Sequence, residues 1–386
     1  MVELIRPYPG ESEESFTKRK AYYYRVLMPY WNYSNSSYLS KTDNIKPISS
    51  ADLDEINAFW DSVFSSRLPK EKWEKLIDYR YYNVYNKILA EGERLSQYIP
   101  DTFFYLFVDE YYTNPQHSNP CDDKSLYDLY FHDVNRPQTV FRKLNEIYLD
   151  ENYNEITLDD AIQRAKDCEE VILKIGKFSF GGKGVTFWRS ASSQVSEMTD
   201  FMKNCRDVVC QKVIKQHPDL SRLNPTSVNT VRIMTLMQGR QVHVLSSVLR
   251  MGINGSRTDN ASSGGIVCGI KPTGQLKEVA YDTSANRYER HPQGTAFESV
   301  TVPNYSEVVD MTVSLAKRLS SISRLISWDL AIDETGHPIL LEANFSGGEL
   351  DFHQLCNGPI LGDVAQDVLR DVLNNSYTLN SIIKSL

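Results

Sequence analysis

The chain has 386 residues and a formal net charge of −8, with 41% hydrophobic and 24% charged residues. At roughly 100–200 residues per domain this predicts two or three domains with ordinary cores, and it argues against global disorder. The acidic balance argues against a non-specific nucleic-acid binder, and no apolar run approaches the ~20 residues of a membrane span.

The residues are unevenly spread. Of 23 Tyr, 19 fall within residues 1–153, and of 19 Gly only Gly10 and Gly92 precede Gly176. An aromatic, packed first part is therefore expected before a part rich in tight turns. The N-terminal run MVELIRPYPGESEE has no signal-type apolar stretch. The six Cys (Cys121, Cys168, Cys205, Cys210, Cys268, Cys356) form no CxxC pair. Both features point to free thiols in a reducing cytoplasm.

In chain order, residues 1–115 read as mostly helical, with apolar residues at helical spacing over Ala51–Trp60 and Trp73–Leu89. A structural cap or docking role is the plain reading of this region. Tyr111–Pro120 reads as a linker. Lys124–Phe131 reads as a helix, and Gln138–Leu144 and Glu146–Leu149 as short strands. Thr157 reads as the N-cap of a helix reaching about Asp167. Strands, helices and Gly turns then alternate to a last helix over Asp363–Asn374, an α+β or α/β texture that predicts two subdomains.

The segment from Ile326 to Asn344 reads as a β-hairpin. A turn over Glu334–His337 sets Asp329 opposite Glu342, with Asn344 on the same face. Carboxylates directly opposed on a sheet repel, so the pair calls for a cation. Two carboxylates and an amide oxygen suit Mg²⁺ completed by water and phosphate. Solvated acids on an edge hairpin are the alternative, which the apolar Trp328, Leu330, Leu341 and Ala343 disfavour.

Lys174 interrupts the apolar run Val171–Ile175 and needs a partner, because burying a lone ammonium is unfavourable. Gly181, Gly182 and Gly184 follow, around Lys183. They form either a cradle of N–H groups for an anion or a flexible hairpin; the spacing is neither a P-loop nor a GxGxxG fingerprint. Val208–Ile214 reads as a buried strand, either an ordinary core strand or one whose backbone offers hydrogen bonds to a purine. Arg232 sits in the apolar strand after Asn229, where Arg grips a ligand carboxylate or phosphate or else forms a structural ion pair. Arg250 and the polar turn Asp259–Gly265 follow.

In this order the segments resemble the ATP-grasp superfamily, and within it the sugar-transfer associated group found with surface-polysaccharide genes. The resemblance covers roughly residues 120–365. It rests on Asp123-Lys124, Lys174 before the Gly loop, Gln211 to Ile214, Asn229-Thr230-Val231-Arg232, Asp259-Asn260 with Gly264-Gly265, and Asp329 with Glu342-Ala343-Asn344. It implies an α+β fold of two subdomains, 120–210 and 211–386, gripping ATP beneath a Gly-rich lid, with the mostly helical Tyr-rich region 1–115 as an extra domain. It further implies that Lys124, Lys174, Gly181, Gly182 and Gly184 bind the nucleotide phosphates, and that Gln211, Lys212 and Ile214 line the adenine. Many members carry Glu where Gln211 stands. Asp219 is a candidate ribose partner. Asp329, Glu342 and Asn344 would hold Mg²⁺, as two ions, with Mn²⁺ as a substitute. Arg232 would meet the γ-phosphate or the acyl phosphate, and Lys183 and Arg250 are further candidate catalytic residues. His217, Asn260, His353 and Gln354, with Arg250, are candidates for the acceptor end. The implied activity is amide formation between a small-molecule or nucleotide-sugar carboxylate and an amine, through an acyl phosphate. The alternatives are a phosphotransferase and a non-catalytic binding protein.

Overall fold

A computed structural model describes residues 11–22, 47–64, 67–113, 117–118, 121–177, 184–376, 379–380 and 383. Thirteen strands form two sheets among these residues. The first sheet contains β1 (Thr139–Leu144), β2 (Ile147–Leu149), β3 (Glu155–Ile156), β4 (Glu170–Ile175), β5 (Val185–Arg189) and β6 (Val208–Lys212), in the order β3-β2-β1-β6-β4-β5. The second contains β7 (Thr230–Gln238), β8 (Gln241–Met251), β9 (Ile266–Ile270), β10 (Leu276–Tyr281), β11 (Arg287–Tyr288), β12 (Leu325–Ile332) and β13 (Pro338–Asn344), in the order β11-β10-β9-β8-β7-β12-β13. Every ladder is antiparallel, which resolves the fold to α+β. Residues 213–229 carry the chain from one sheet to the other.

Helices Leu158–Lys166 and Val195–Asn204 cover the first sheet through Ala161, Ala165, Met198 and Met202. Thr157 caps the former in a reciprocal capping box with Asp160, as its sequence predicts. The second sheet has two differently used faces. Val231, Ile233, Leu249, Trp328, Leu330, Leu340 and Ala343 point to one core, which includes Val308, Leu315 and Ala316 of helix Tyr305–Arg318. The side chains of Met234, Leu236 and Leu325 alternate to the opposite face. There they join a second core with Trp60, Trp73, Tyr82, Phe103, Phe104 and helix Ala365–Asn375.

The Tyr-rich region is thus packed on the second sheet. Its rings interlock: Trp60 and Phe103 lie with centroids 4.7 Å apart, and Tyr85 stacks on Tyr98 at 4.7 Å. The Trp60 indole donates to the Tyr82 hydroxyl at 2.7 Å, which satisfies the polar tips of buried rings. Two expectations are corrected here. Trp73–Leu89 is not one helix: the chain breaks at Ile77, which is extended, and restarts at Arg80, where Asp78 binds the guanidinium. The described part of Tyr111–Pro120 is no free linker. Tyr111 and Tyr112 donate their hydroxyls to Asp371, and Thr113 bridges to Ser323.

All six cysteines are free thiols. Among the described residues, no helix is long and apolar enough to cross a membrane.

Candidate active site

The site begins as a row across three adjacent strands. Asp329 of β12 pairs with Arg232 of β7 on one side and with Glu342 of β13 on the other. Arg250 of β8, opposite Thr230, stands one pleat away on the same face. This is the face on which the Tyr-rich region packs, farther along the strands.

The expected opposition of Asp329 and Glu342 is present, by a route the sequence did not suggest. The turn runs from Asp333 to His337, closed by the Asp333 N–H donating to the His337 carbonyl at 2.9 Å, with Gly336 at φ +92°. That register pairs Ile332 with Pro338 and Leu330 with Leu340, and alone would set Leu341 opposite Asp329. A bulge at Leu341 absorbs one residue and restores Glu342 to Asp329. It also lets Leu340 and Ala343, three residues apart, share one core.

The charges are tightly paired. The Arg232 fork donates through Nε and Nη2 to the two Asp329 oxygens, both at 2.7 Å, and through Nη1 to Glu349. Arg250 reaches Asp329 at 3.3 Å and donates to Asn260 Oδ1, with Asp259 at 3.8 Å. Burial pushes the Asp329 carboxyl upward, but Arg232 and Arg250 outweigh it and hold the carboxyl below its usual range. Lys124 Nζ lies 2.6 Å from Glu342 Oε1. Burial disfavours the Lys124 ammonium, and Glu342 reverses that effect and raises its pKa.

Lys174 shares this space without such a partner. No hydrogen bond or ion pair to its side chain occurs among the described residues. Burial, with Lys124 as the next contribution, lowers its pKa to about 8. The two lysines are brought together because the Lys124 N–H donates to the Gly176 carbonyl at the end of β4, at 2.8 Å. Asp123 caps the turn at Lys124 by accepting from the Ser125 N–H. Gly184 closes the far side of the loop at φ +80°, and a Cβ there would fall 2.5 Å from Ile175 Cδ1, so glycine is required. Gly181, Gly182 and Lys183 lie outside the described residues.

Of the adenine candidates, Gln211 is buried in β6 opposite Ile172, the Lys212 N–H is taken by the Gln138 carbonyl at 2.9 Å, and Ile214 follows the strand, partly exposed. The acceptor candidates separate. Asn260 belongs to the cluster through Arg250. His217 caps the short helix Pro218–Ser221, accepting from the Asp219 N–H at 3.2 Å. Its own N–H binds Ile332 at the turn end of the hairpin. Asp219 lines a different cavity, with Pro272, Asn304, Tyr305 and Asp310. His353 is fully buried, bonded through Nδ1 to Ser246 Oγ at 2.8 Å, and burial together with Arg232 lowers its pKa to about 3. It is therefore neutral, and its side chain is fully buried.

Gln354 is fully engaged in packing. Its Nε2 donates to the Tyr85 hydroxyl and the Ile99 carbonyl, both at 2.8 Å, and its Oε1 accepts from the Ile99 N–H at 3.0 Å. It fastens the Tyr-rich region to helix Leu350–Asn357 and is fully buried. Sequence reasoning missed Glu349, which binds Arg232. The available signal was a carboxylate directly after Gly347-Gly348, one turn beyond the hairpin.

The sequence matches the sugar-transfer associated ATP-grasp family over residues 142–370. Lys124 and the Tyr-rich region precede that span. No curated relative matches the sequence. Similar solved structures include a D-alanyl-alanine synthetase A from Vibrio cholerae, at 10% identity and TM-score 0.44, covering 68% of this chain and 67% of that one. An L-amino acid ligase from Bacillus licheniformis aligns at 13% identity and TM-score 0.36, over 76% of this chain and 53% of that one. The biotin carboxylase domain of a 2-oxoglutarate carboxylase from Hydrogenobacter thermophilus aligns at 14% and 0.40, over 67% and 47%. The chain thus spans about half to two thirds of the length of these neighbours.

Proposed function

The chain belongs to the sugar-transfer associated ATP-grasp family, and from that premise we propose that it is an ATP-dependent carboxylate–amine ligase. Its substrates are a sugar acid, free or nucleotide-linked, and an amine or amino acid, joined in the making of a surface polysaccharide. ADP and phosphate are released. The observation that supports this reading best is the paired row Arg232–Asp329–Glu342 with Lys124 and Lys174 beside it.

The donor set fits Mg²⁺. Asp329 and Glu342 carry carboxylate oxygens on facing strands, paired with Arg232, Arg250 and Lys124 in this structure, so a cation would share or displace those contacts. Asn344 donates its Nδ2 to the Ser327 carbonyl at 3.1 Å, which leaves its amide oxygen for a cation. These three residues would hold the metal, which supplies charge neutralisation on the transferring phosphoryl group.

The chain's own residues do the rest. Lys124 and Lys174 bind phosphate oxygens of ATP, and Arg232 and Arg250 face the charge that builds on the γ-phosphoryl group as the substrate carboxylate attacks it. The γ-phosphorus–oxygen bond of ATP breaks as the carboxylate–phosphorus bond forms, giving ADP and an acyl phosphate. The amine then attacks the acyl carbon, expels phosphate and loses its extra proton to solvent. Gln211, Lys212 and Ile214 line the adenine, and Asn260 stands at the acceptor end beside Arg250.

Product analysis with a panel of uronic acids and amines tests this reading. ADP and free phosphate should appear only when both co-substrates are present, and hydroxylamine should trap the acyl phosphate. Phosphate retained on one substrate would identify a phosphotransferase. AMP with pyrophosphate would refute both.

A further inference from the structure

The Tyr-rich region has no part in the chemistry proposed above, yet it touches the segment next to the carboxylate row at three points. Its helix over residues 101–112 has a π-helical turn, Phe104–Asp109, between the α-helical turns Asp101–Phe103 and Glu110–Tyr112. Such turns recur where a helix serves a site. Tyr105, Asp109 and Thr113, four residues apart, share one face of this helix and its C-terminal extension. The Tyr105 hydroxyl accepts from the Leu350 N–H at 2.8 Å, Asp109 Oδ2 accepts from the Gly347 N–H at 3.3 Å, and Thr113 Oγ1 donates to the Phe345 carbonyl at 2.7 Å.

The segment they hold, residues 345–350, follows β13 and has little freedom. A Cβ on Gly348 would lie 2.3 Å from Ser327 Oγ and 2.9 Å from Met234 Cε. Glu349 is left-handed, at φ +59° and ψ 55°, a conformation that residues other than Gly, Asn and Asp seldom adopt and that persists only where the surroundings over-determine it. In that conformation its carboxylate meets Arg232 Nη1, the one arm of the guanidinium that Asp329 does not take, and lies 4.0 Å from Arg250 Nε. Phe103, Phe104 and Phe107 anchor the helix itself in the aromatic core.

We infer that the helix 101–112 is a positioning element of the active site: Tyr105, Asp109 and Thr113 hold residues 345–350 on the one path that delivers Glu349 to Arg232, and so keep the guanidinium in the carboxylate row. The Tyr-rich region thereby becomes part of the site's construction. This inference rests on the reading that the row binds MgATP.

The test is a double-mutant cycle on the full chain. One arm is Tyr105→Phe combined with Thr113→Val, which removes two hydroxyls at nearly constant volume. The other arm is Glu349→Gln, and the third variant combines all three changes. Affinity for Mg²⁺ with a non-hydrolysable ATP analogue is measured by calorimetry, beside the melting temperature. Each arm should weaken binding roughly five- to tenfold. The combined variant should bind no more weakly than Glu349→Gln alone. Binding losses that multiply, or a lowered melting temperature with unchanged binding, would overturn the inference. A wild-type chain that binds no nucleotide would refute the ATP reading instead. Hydrogen exchange then decides the positioning claim by itself: the Gly347 and Leu350 amides should exchange faster in Tyr105→Phe with Thr113→Val, and unchanged rates would refute it.

Discussion

The Tyr127 hydroxyl sits against the backbone of Ala343, accepting from its N–H at 3.1 Å and donating to its carbonyl at 3.3 Å. β13 is an edge strand, so Ala343 has no further strand to bond. Tyr127 takes that place, between Glu342 and Asn344 in sequence and three residues after Lys124. One side chain therefore ties the turn that carries Lys124 to the strand that carries Glu342 and Asn344.

Tyr127→Phe should keep the ring's edge contact with Phe131 and leave both Ala343 groups unbonded. We expect a loss of about 1–3 kcal/mol of stability in chemical denaturation, with a higher Mg²⁺ concentration needed for half-maximal activity. A variant with wild-type stability and metal dependence would show that the hydroxyl does not secure the strand.

Lys174 gives the pH dependence a sign. Its pKa of about 8 means that the charged form, to which the proposed function assigns phosphate binding, is lost as pH rises through that value. The kcat/KM for ATP, which reports the free enzyme, should therefore fall above pH 8. Lys174→Arg should carry the alkaline limb out of range, because guanidinium stays charged. An alkaline limb that Lys174→Arg leaves in place would assign it to another group.

Asp329→Asn should damage fold and chemistry together. It leaves the Arg232 fork and Arg250 buried without their shared carboxylate. Breaking a buried pair in this way costs about 3–5 kcal/mol, measurable by denaturant titration. Glu342→Gln faces the less buried Lys124 and should fold well. Loss of one key electrostatic group should lower its kcat by about 10²–10³-fold, read in an ADP-release assay.

Gln354→Leu separates the two assignments for that residue. As a fastener it should lower stability by about 1–3 kcal/mol through the unbonded Ile99 amide, with KM for every substrate unchanged in the folded fraction. A selective rise in one substrate's KM would return Gln354 to the acceptor site.

Apolar neighbours on both sides marked Asp329 and Glu342 as facing away from the core, but the bulge at Leu341 that restores their opposition left no mark in the sequence, because it depends on where the turn closes. Lys174 was legible as a cation within an apolar run, and Thr157 as a helix cap. Glu349 was not, because its role depends on a left-handed backbone and on Tyr105, Asp109 and Thr113, more than 230 residues earlier in the chain. His353 and Gln354 looked available because they follow the hairpin closely, and only packing reveals that both face inward. The helical break at Ile77 was hidden by the regular spacing of Tyr and Leu on either side of it.

The bulge at Leu341 bears on how this chain should be compared with its relatives. The turn side and the site side of the hairpin are out of step by one residue. A homologue could lose one residue at 341 and still set its aspartate opposite its glutamate, whereas a deletion between 342 and 344 would turn the asparagine to the wrong face. Alignment gaps in this hairpin should therefore be placed at 341, and a relative lacking the extra residue should not be scored as having lost the site.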